Sequence, residues 1–147
     1  MIDNEPAGLA FLKAHVAGPE RASIFSTMSM GEVVLEAGHV VIHARADERH
    51  LNPLGGVHGG FAATLLDSVT GCAVHTMLEA GVTFATIDLA VKMLLPIPQG
   101  DEVIGEARVS HLSRSLGVAD GTIRDGAGRL LATGSATCFI KRPARAG

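Results

Sequence analysis

The sequence predicts an α+β domain in which an antiparallel β-sheet wraps around one long central helix. Three observations carry this. One long helical pattern, Phe61 to about Glu79, stands in the middle of the 147-residue chain. The strand patterns on either side follow one another directly, without the βαβ alternation that a parallel sheet requires. The helix is mostly apolar, so the simplest way to bury it is to wrap the sheet around it.

The elements follow in chain order. "EPAGLAFLKAHV" reads as a short helix with Leu9, Phe11, Leu12 and Val16 on roughly one side. "MSMGEVVLEAGHVVIHARADE" reads as two strands turning at Glu36-Ala37-Gly38. A glycine-rich junction leads into the long helix, which is expected to stop near Gly81. In "TIDLAVKMLLP", Ile87, Leu89, Val91 and Met93 alternate with Thr86, Asp88, Ala90 and Lys92, the period of a half-buried strand. Pro96 and Pro98 end it. "DEVIGEARVSHL" is the next strand, with Val103, Ala107 and Val109 on one face. "LGVADGTIRDGAGRLLATGSATCFI" is a hairpin turning at Asp125-Gly126-Ala127-Gly128. The expectation is one domain over residues 1–147, with residues 1–27 as a helical lead-in.

Composition narrows the function. With 47% apolar and 18% charged residues the chain carries more apolar surface than one small core hides, so a subunit interface is expected. A net charge of −3, no Trp or Tyr and five Phe argue against nucleic acid. No apolar run approaches the roughly 18 residues of a membrane span. The start, "MIDNEPAGLA", lacks a signal pattern, and a cytoplasmic location is expected. Cys72 and Cys138 read as buried small apolar positions and not as a disulfide. Seven histidines include His39 and His43 on one strand face, but their spacing and the nearby carboxylates do not build a zinc set. No metal is expected.

The stretch "NPLGGVHGGFAATLLDS" holds the chemistry. Asp67 falls in the middle of an apolar helix, where an acid is costly unless solvated, paired or used. Gly60, Ala63, Thr64 and Gly71 lie at i−7, i−4, i−3 and i+4 from it and form a small-residue stripe on its face. That stripe reads either as a surface for close helix–sheet packing, with Asp67 a buried acceptor, or as a site. His58-Gly59-Gly60 favours the site. A helix N-terminus presents free N–H groups to a developing negative charge, and glycine lets a ligand approach the backbone. An oxyanion donor and a carboxylate together suit acyl transfer.

These residues resemble the Asn-x-x-Gly-x-x-His-Gly-Gly-(x)6-Asp signature of hotdog-fold thioesterases related to the phenylacetate-degradation and 4-hydroxybenzoyl-CoA thioesterases. The strand-proline-glycine-strand-hairpin layout downstream is also similar, so the likeness runs from roughly Met28 to Ile140. It implies a hotdog fold, and an acyl-CoA thioesterase acting on an aryl or medium-chain acyl group. It implies homodimers or homotetramers with active sites at the subunit interface, and no cofactor, coenzyme A being part of the substrate. By the same resemblance Asp67 is the nucleophile or general base and Gly59 gives its N–H to the thioester oxygen. Asn52 orients the thioester or water, Thr86 holds that water, and His58 positions the loop.

Gly60, Thr64 and Gly71, on the acid's face, are candidate substrate contacts. Arg114 and Ser115 lie in the loop where relatives meet coenzyme A phosphates, with Lys141 and Arg142 as further candidates. Gly71 stands where one branch has threonine, and Lys92-Met93 and Leu95 replace the more usual Asn-Phe and Arg. These departures bear on the acyl pocket and leave the reaction as it is. Other hotdog activities were weighed. A hydratase or dehydratase would carry a His before His-Phe-Pro or an Asp-(x)4-His pair, and neither is found. A non-catalytic acyl-CoA binder or sensor would need an output module, for which about two dozen residues before the first strand are few.

Overall fold

The computed structural model describes residues 4–145. Ten elements follow in order: helices α1 (Ala7–Ala17) and α2 (Ser23–Thr27), strands β1 (Met30–Glu36) and β2 (His39–Arg45), a 3-10 turn (Glu48–His50), helix α3 (Gly59–His75), then β3 (Thr83–Met93), β4 (Glu102–Leu112), β5 (Leu116–Asp125) and β6 (Leu130–Lys141). The strands form one antiparallel sheet in the order β1-β2-β4-β5-β6-β3. α3 packs on its concave face and touches β2 through β6. The hotdog architecture expected from the sequence is present.

The core shows how the sheet closes on the helix. Phe61, Leu65, Leu66, Val69 and Val74 of α3 are fully buried against residues such as Ile42, Val103, Ile123 and Leu131. Glycines of the sheet make the room. A Cβ on Gly117 would lie 2.7 Å from Val74 Cγ1, and one on Gly105 would lie 3.0 Å from Leu65 Cγ. The small residues of close helix–sheet packing are therefore on the sheet. The Gly60–Thr64–Asp67 stripe of α3 points elsewhere, which overturns its reading as a packing surface.

Four boundaries differ from expectation. α3 ends at His75, one turn short of Glu79. Buried Thr76 donates its hydroxyl to Ala73 O (2.6 Å) and accepts from Gly38 N–H (2.8 Å), tying the helix end to the β1–β2 turn. Two tight i→i+3 bonds follow, Met77 to Val74 and Leu78 to His75. In α1 only Leu9 and Leu12 of the expected face are buried, and Phe11 is 57% exposed because it lies two residues round the helix from Leu9. α2 and the 3-10 turn carry no long-range periodicity and were not expected.

β3 begins at Thr83 and not Thr86. A bulge at Ile87 breaks its alternation: Thr86 opposes Cys138 while Asp88 opposes the adjacent Thr137. The half-buried residues are accordingly Phe84, Thr86, Leu89 and Val91, and Ile87 turns out to 62% exposure. Simple alternation would have put Thr86 and Leu89 on opposite faces. The bulge puts them on the same one.

Candidate functional site

The site starts from the junction before α3. Asn52 Oδ1 accepts from Leu54 N–H (2.9 Å) and Gly56 N–H (3.2 Å), and its backbone pairs with Gly55 and Gly56. This asparagine turn holds the glycine loop in shape. The next fixed point is His58, the N-cap of α3. Its backbone N–H bonds to His50 O, and its ring Nδ1 accepts from Gly60 N–H at 2.8 Å. That role in positioning the loop is the expected one, and it requires the proton to sit on Nε2.

Gly59 is the first residue of α3, so its N–H has no carbonyl within the helix to meet. With Gly60 satisfied by His58, Gly59 presents the free donor at the helix's positive end. Met93 packs against it: a Cβ on Gly59 would lie 2.7 Å from Met93 Sδ. Met93 and Gly59 line a cavity of about 320 Å³ with Val57, Ala62, Leu94 and Leu95.

Asp67 lies two turns further along. In the single chain it is exposed, not buried as expected, because the helix face that carries it looks out past β3. Its Oδ1 accepts from Thr86 Oγ1 at 2.9 Å. The Ile87 bulge brings that hydroxyl to the inner face of β3 and within reach of the acid. Two thiols sit nearby. Burial pushes Cys72 up to about 11, with the Asp67 charge adding to the effect. Burial raises Cys138 as well, against the hydrogen bond from Thr86, whose Oγ1 lies 3.9 Å from Cys138 Sγ. Both cysteines are free, and both are poor nucleophiles as placed.

The other expected residues divide. Thr64 Oγ1 donates to Gly60 O (2.8 Å), and both residues line a second cavity of about 370 Å³ with His58, His50, Arg49 and Phe61. Gly71 is buried under the Phe84 ring, a Cβ there lying 3.3 Å from Phe84 Cε2. Arg114 and Ser115 are exposed on the β4–β5 turn, and Lys141 is exposed at the end of β6. Arg142 binds the Arg114 carbonyl and Glu79 (3.1 Å), which leaves the Arg114 guanidinium facing solvent. None of these cations is near Asp67 in sequence or element. His39 and His43 pair with Glu106 (2.7 Å) and Glu102 (2.9 Å) on the outer sheet face. Among the described residues no three His, Cys, Asp or Glu side chains gather as a metal site, and no helix is long and apolar enough to cross a membrane.

Two residues of the site escaped the sequence reading. Phe84 lay outside the expected strand, although extending the alternation back through "TFATIDL" would have included it. Met93 was noted only as a departure from the usual residue, and its contact with Gly59 had no local signal.

Comparison with known proteins agrees with this geometry. A family model described as the thioesterase superfamily matches residues 54–132. Acyl-coenzyme A thioesterase 13 of Homo sapiens is 27% identical over 112 residues, 74% of this chain and 79% of that protein. A thioesterase family protein from Silicibacter pomeroyi superposes with a TM-score of 0.77 at 26% identity, covering 84% of this chain and 92% of its own. A Streptococcus mutans protein solved bound to acetyl-CoA gives a TM-score of 0.71 at 25% identity, covering 79% and 91%.

Proposed function

The chain belongs to the thioesterase superfamily, and from that premise we propose that this thioester hydrolase cleaves acyl-CoA esters with Asp67 as its catalytic carboxylate. The observation that carries the reading is an open, mid-helix acid held by a hydroxyl, Thr86, at 2.9 Å. Asp67 attacks the thioester carbonyl or activates the water that does so, and Thr86 fixes which carboxylate oxygen faces the substrate. Gly59 N–H, at the positive end of α3, receives the oxygen as charge develops on it. Coenzyme A enters as part of the substrate and no cofactor is required. The similarity to acyl-coenzyme A thioesterase 13 and to the acetyl-CoA complex supports this substrate class.

The spacing adds a requirement. Gly59 and Asp67 are eight residues apart on one helix, about 12 Å along its axis. A carbonyl in reaction lies about 3 Å from both its oxyanion donor and its attacking group. One chain therefore cannot supply both to the same substrate, and the site needs Asp67 of one subunit and Gly59 of another. β3 is the means: it is an edge strand, open on its outer side, and two such edges can pair about a two-fold axis. Thr86 marks the position of Asp67 on β3, and Met93 marks that of Gly59. A two-fold between Leu89 and Ala90 sets Thr86 beside Met93 of the partner subunit and joins the two halves.

The test mixes two defective proteins. Asp67→Asn removes the carboxylate's charge. Gly59→Pro removes only the N–H, at the first helical position, where proline is well tolerated. Each variant alone should lose at least about 100-fold in kcat, the usual worth of a positioned catalytic group. Subunits exchanged in equal amounts should regain about a quarter of wild-type activity, since half the dimers then hold one intact site. Near-full activity of Asp67→Asn would remove the carboxylate from the reaction. A mixture that stays inactive would place both groups of a site in one chain.

A further inference from the structure

The largest cavity of the chain is not part of the machinery above. It has a volume of about 510 Å³ and lies at the far end of α3, walled by Ala7 and Phe11 of α1, by His75 and Ala80, and by Val82 and Phe84 leading into β3. Its walls are apolar apart from the rim. Burial lowers the pKa of His75, with His15 contributing, so near neutral pH the imidazole is uncharged. That ring stands between two others, 5.3 Å from Phe11 and 5.3 Å from Phe84, centroid to centroid.

The cavity lines up with Asp67. Successive turns of one helix face carry Asp67, Gly71 and His75, and β3 runs alongside with Thr86 and Phe84. Asp67 meets Thr86, Gly71 lies under Phe84, and His75 packs on the other side of the same Phe84 ring. The cleft between α3 and β3 thus leads from the carboxylate, past Phe84, into the cavity. Gly71 is what admits the ring so close to the helix, at 3.3 Å from where a Cβ would be.

We propose that this cavity receives the distal end of the substrate's acyl chain, and that Phe84, seated over Gly71, sets the length of chain the enzyme prefers. The inference rests on the acyl-CoA reading and deepens it. From Asp67 to His75 is two turns, about 12 Å, and an extended chain advances about 1.2 Å per bond. A medium-chain acyl group of about ten carbons spans the cleft and ends in the cavity. The pantetheine arm is a poorer occupant, because its two amides would be buried without partners against these walls.

Filling the cavity tests the assignment. Ala80→Phe and, independently, Ala7→Phe place a ring at its exposed rim, and a melting curve establishes that each variant folds. Hydrolysis is measured across straight-chain CoA esters from acetyl to palmitoyl. Wild-type kcat/KM should peak near decanoyl, and in either variant the decanoyl-to-acetyl ratio should fall at least tenfold. Gly71→Ala, which pushes the Phe84 ring toward the cavity, should move the optimum to shorter chains. Equal losses for every chain length, with weaker binding of free coenzyme A, would give the cavity to the pantetheine arm and overturn the proposal. An unchanged ratio in both folded variants would also overturn it. Binding of decanoyl- and acetyl-CoA to Asp67→Asn, followed by calorimetry, keeps the two readings apart. A decanoyl advantage that the filled variants abolish supports the cavity assignment even if the carboxylate proves not to be catalytic.

Discussion

At the scale of single residues the site depends on one hydrogen bond that a strand irregularity creates. Thr86 donates to Asp67 at 2.9 Å only because the bulge at Ile87 turns it to the inner face of β3. A hydrogen bond to a charged acceptor is worth about 1.5–3 kcal/mol. Thr86→Val, which keeps the shape and removes the donor, should therefore lower kcat about 10- to 100-fold with little change in Tm. Thr86→Ser should recover most of the loss. If valine costs nothing while the protein remains folded, the hydroxyl does not orient the acid. That Asp67 mattered was legible in the sequence, because an acid amid Leu65, Leu66 and Val69 asks for an explanation. Its exposure in the single chain was not legible, since which face of α3 meets the sheet is decided by glycines far along the chain.

The elements carry two further predictions. α3 sits close to the sheet where strand glycines allow it, and Gly117 is the tightest such place on β5, with Val74 2.7 Å from a built Cβ. Val74 is a fully buried β-branched residue and has no room to turn. Gly117→Ala should destabilise the fold by about 1–3 kcal/mol, as overpacking does, seen as a lowered midpoint in urea. The β4–β5 turn bears on binding instead. Arg114 is exposed and its guanidinium faces solvent, so contact with coenzyme A phosphates would be equal in ground and transition states. Arg114→Ala should raise KM for CoA esters and leave kcat within a few-fold. Added salt should weaken the wild type more than the variant. An N-acetylcysteamine thioester, which lacks the phosphates, should not distinguish the two. A matching drop in kcat on both substrates would mean that the nucleotide lies elsewhere.

For the whole molecule the question is what covers β3. Its outer edge is unpaired, and Ile87, Met93, Leu94 and Leu95 along and beyond it are 62%, 56%, 53% and 44% exposed. An open edge with apolar side chains is a surface built to be paired or protected. The same edge carries Thr86 and Met93, the markers of the two halves of the site, so assembly and activity are expected to coincide. Light scattering at micromolar concentration should show a dimer at least, with a tetramer the fuller assembly. A stable monomer that retains full turnover would contradict a shared site.

Local chemistry was enough to determine the long helix, the antiparallel strands around it, the turns at Gly38 and Gly128, and the Asn52–Asp67 motif with its junction. Those features depend on periodicity, on glycines with positive φ and on spacing, all of which act over a few residues. The tertiary structure alone decided where α3 stops, which way β3 faces around Ile87, and that Phe84 lies over Gly71. It also decided that Gly59 and Asp67 sit too far apart on one helix to share a carbonyl. Each of these follows from contacts between segments distant in sequence: Thr76 with Gly38, Thr86 with Asp67, Met93 with Gly59. The free energy of such contacts depends on which surfaces meet, and no short stretch of the chain carries that information.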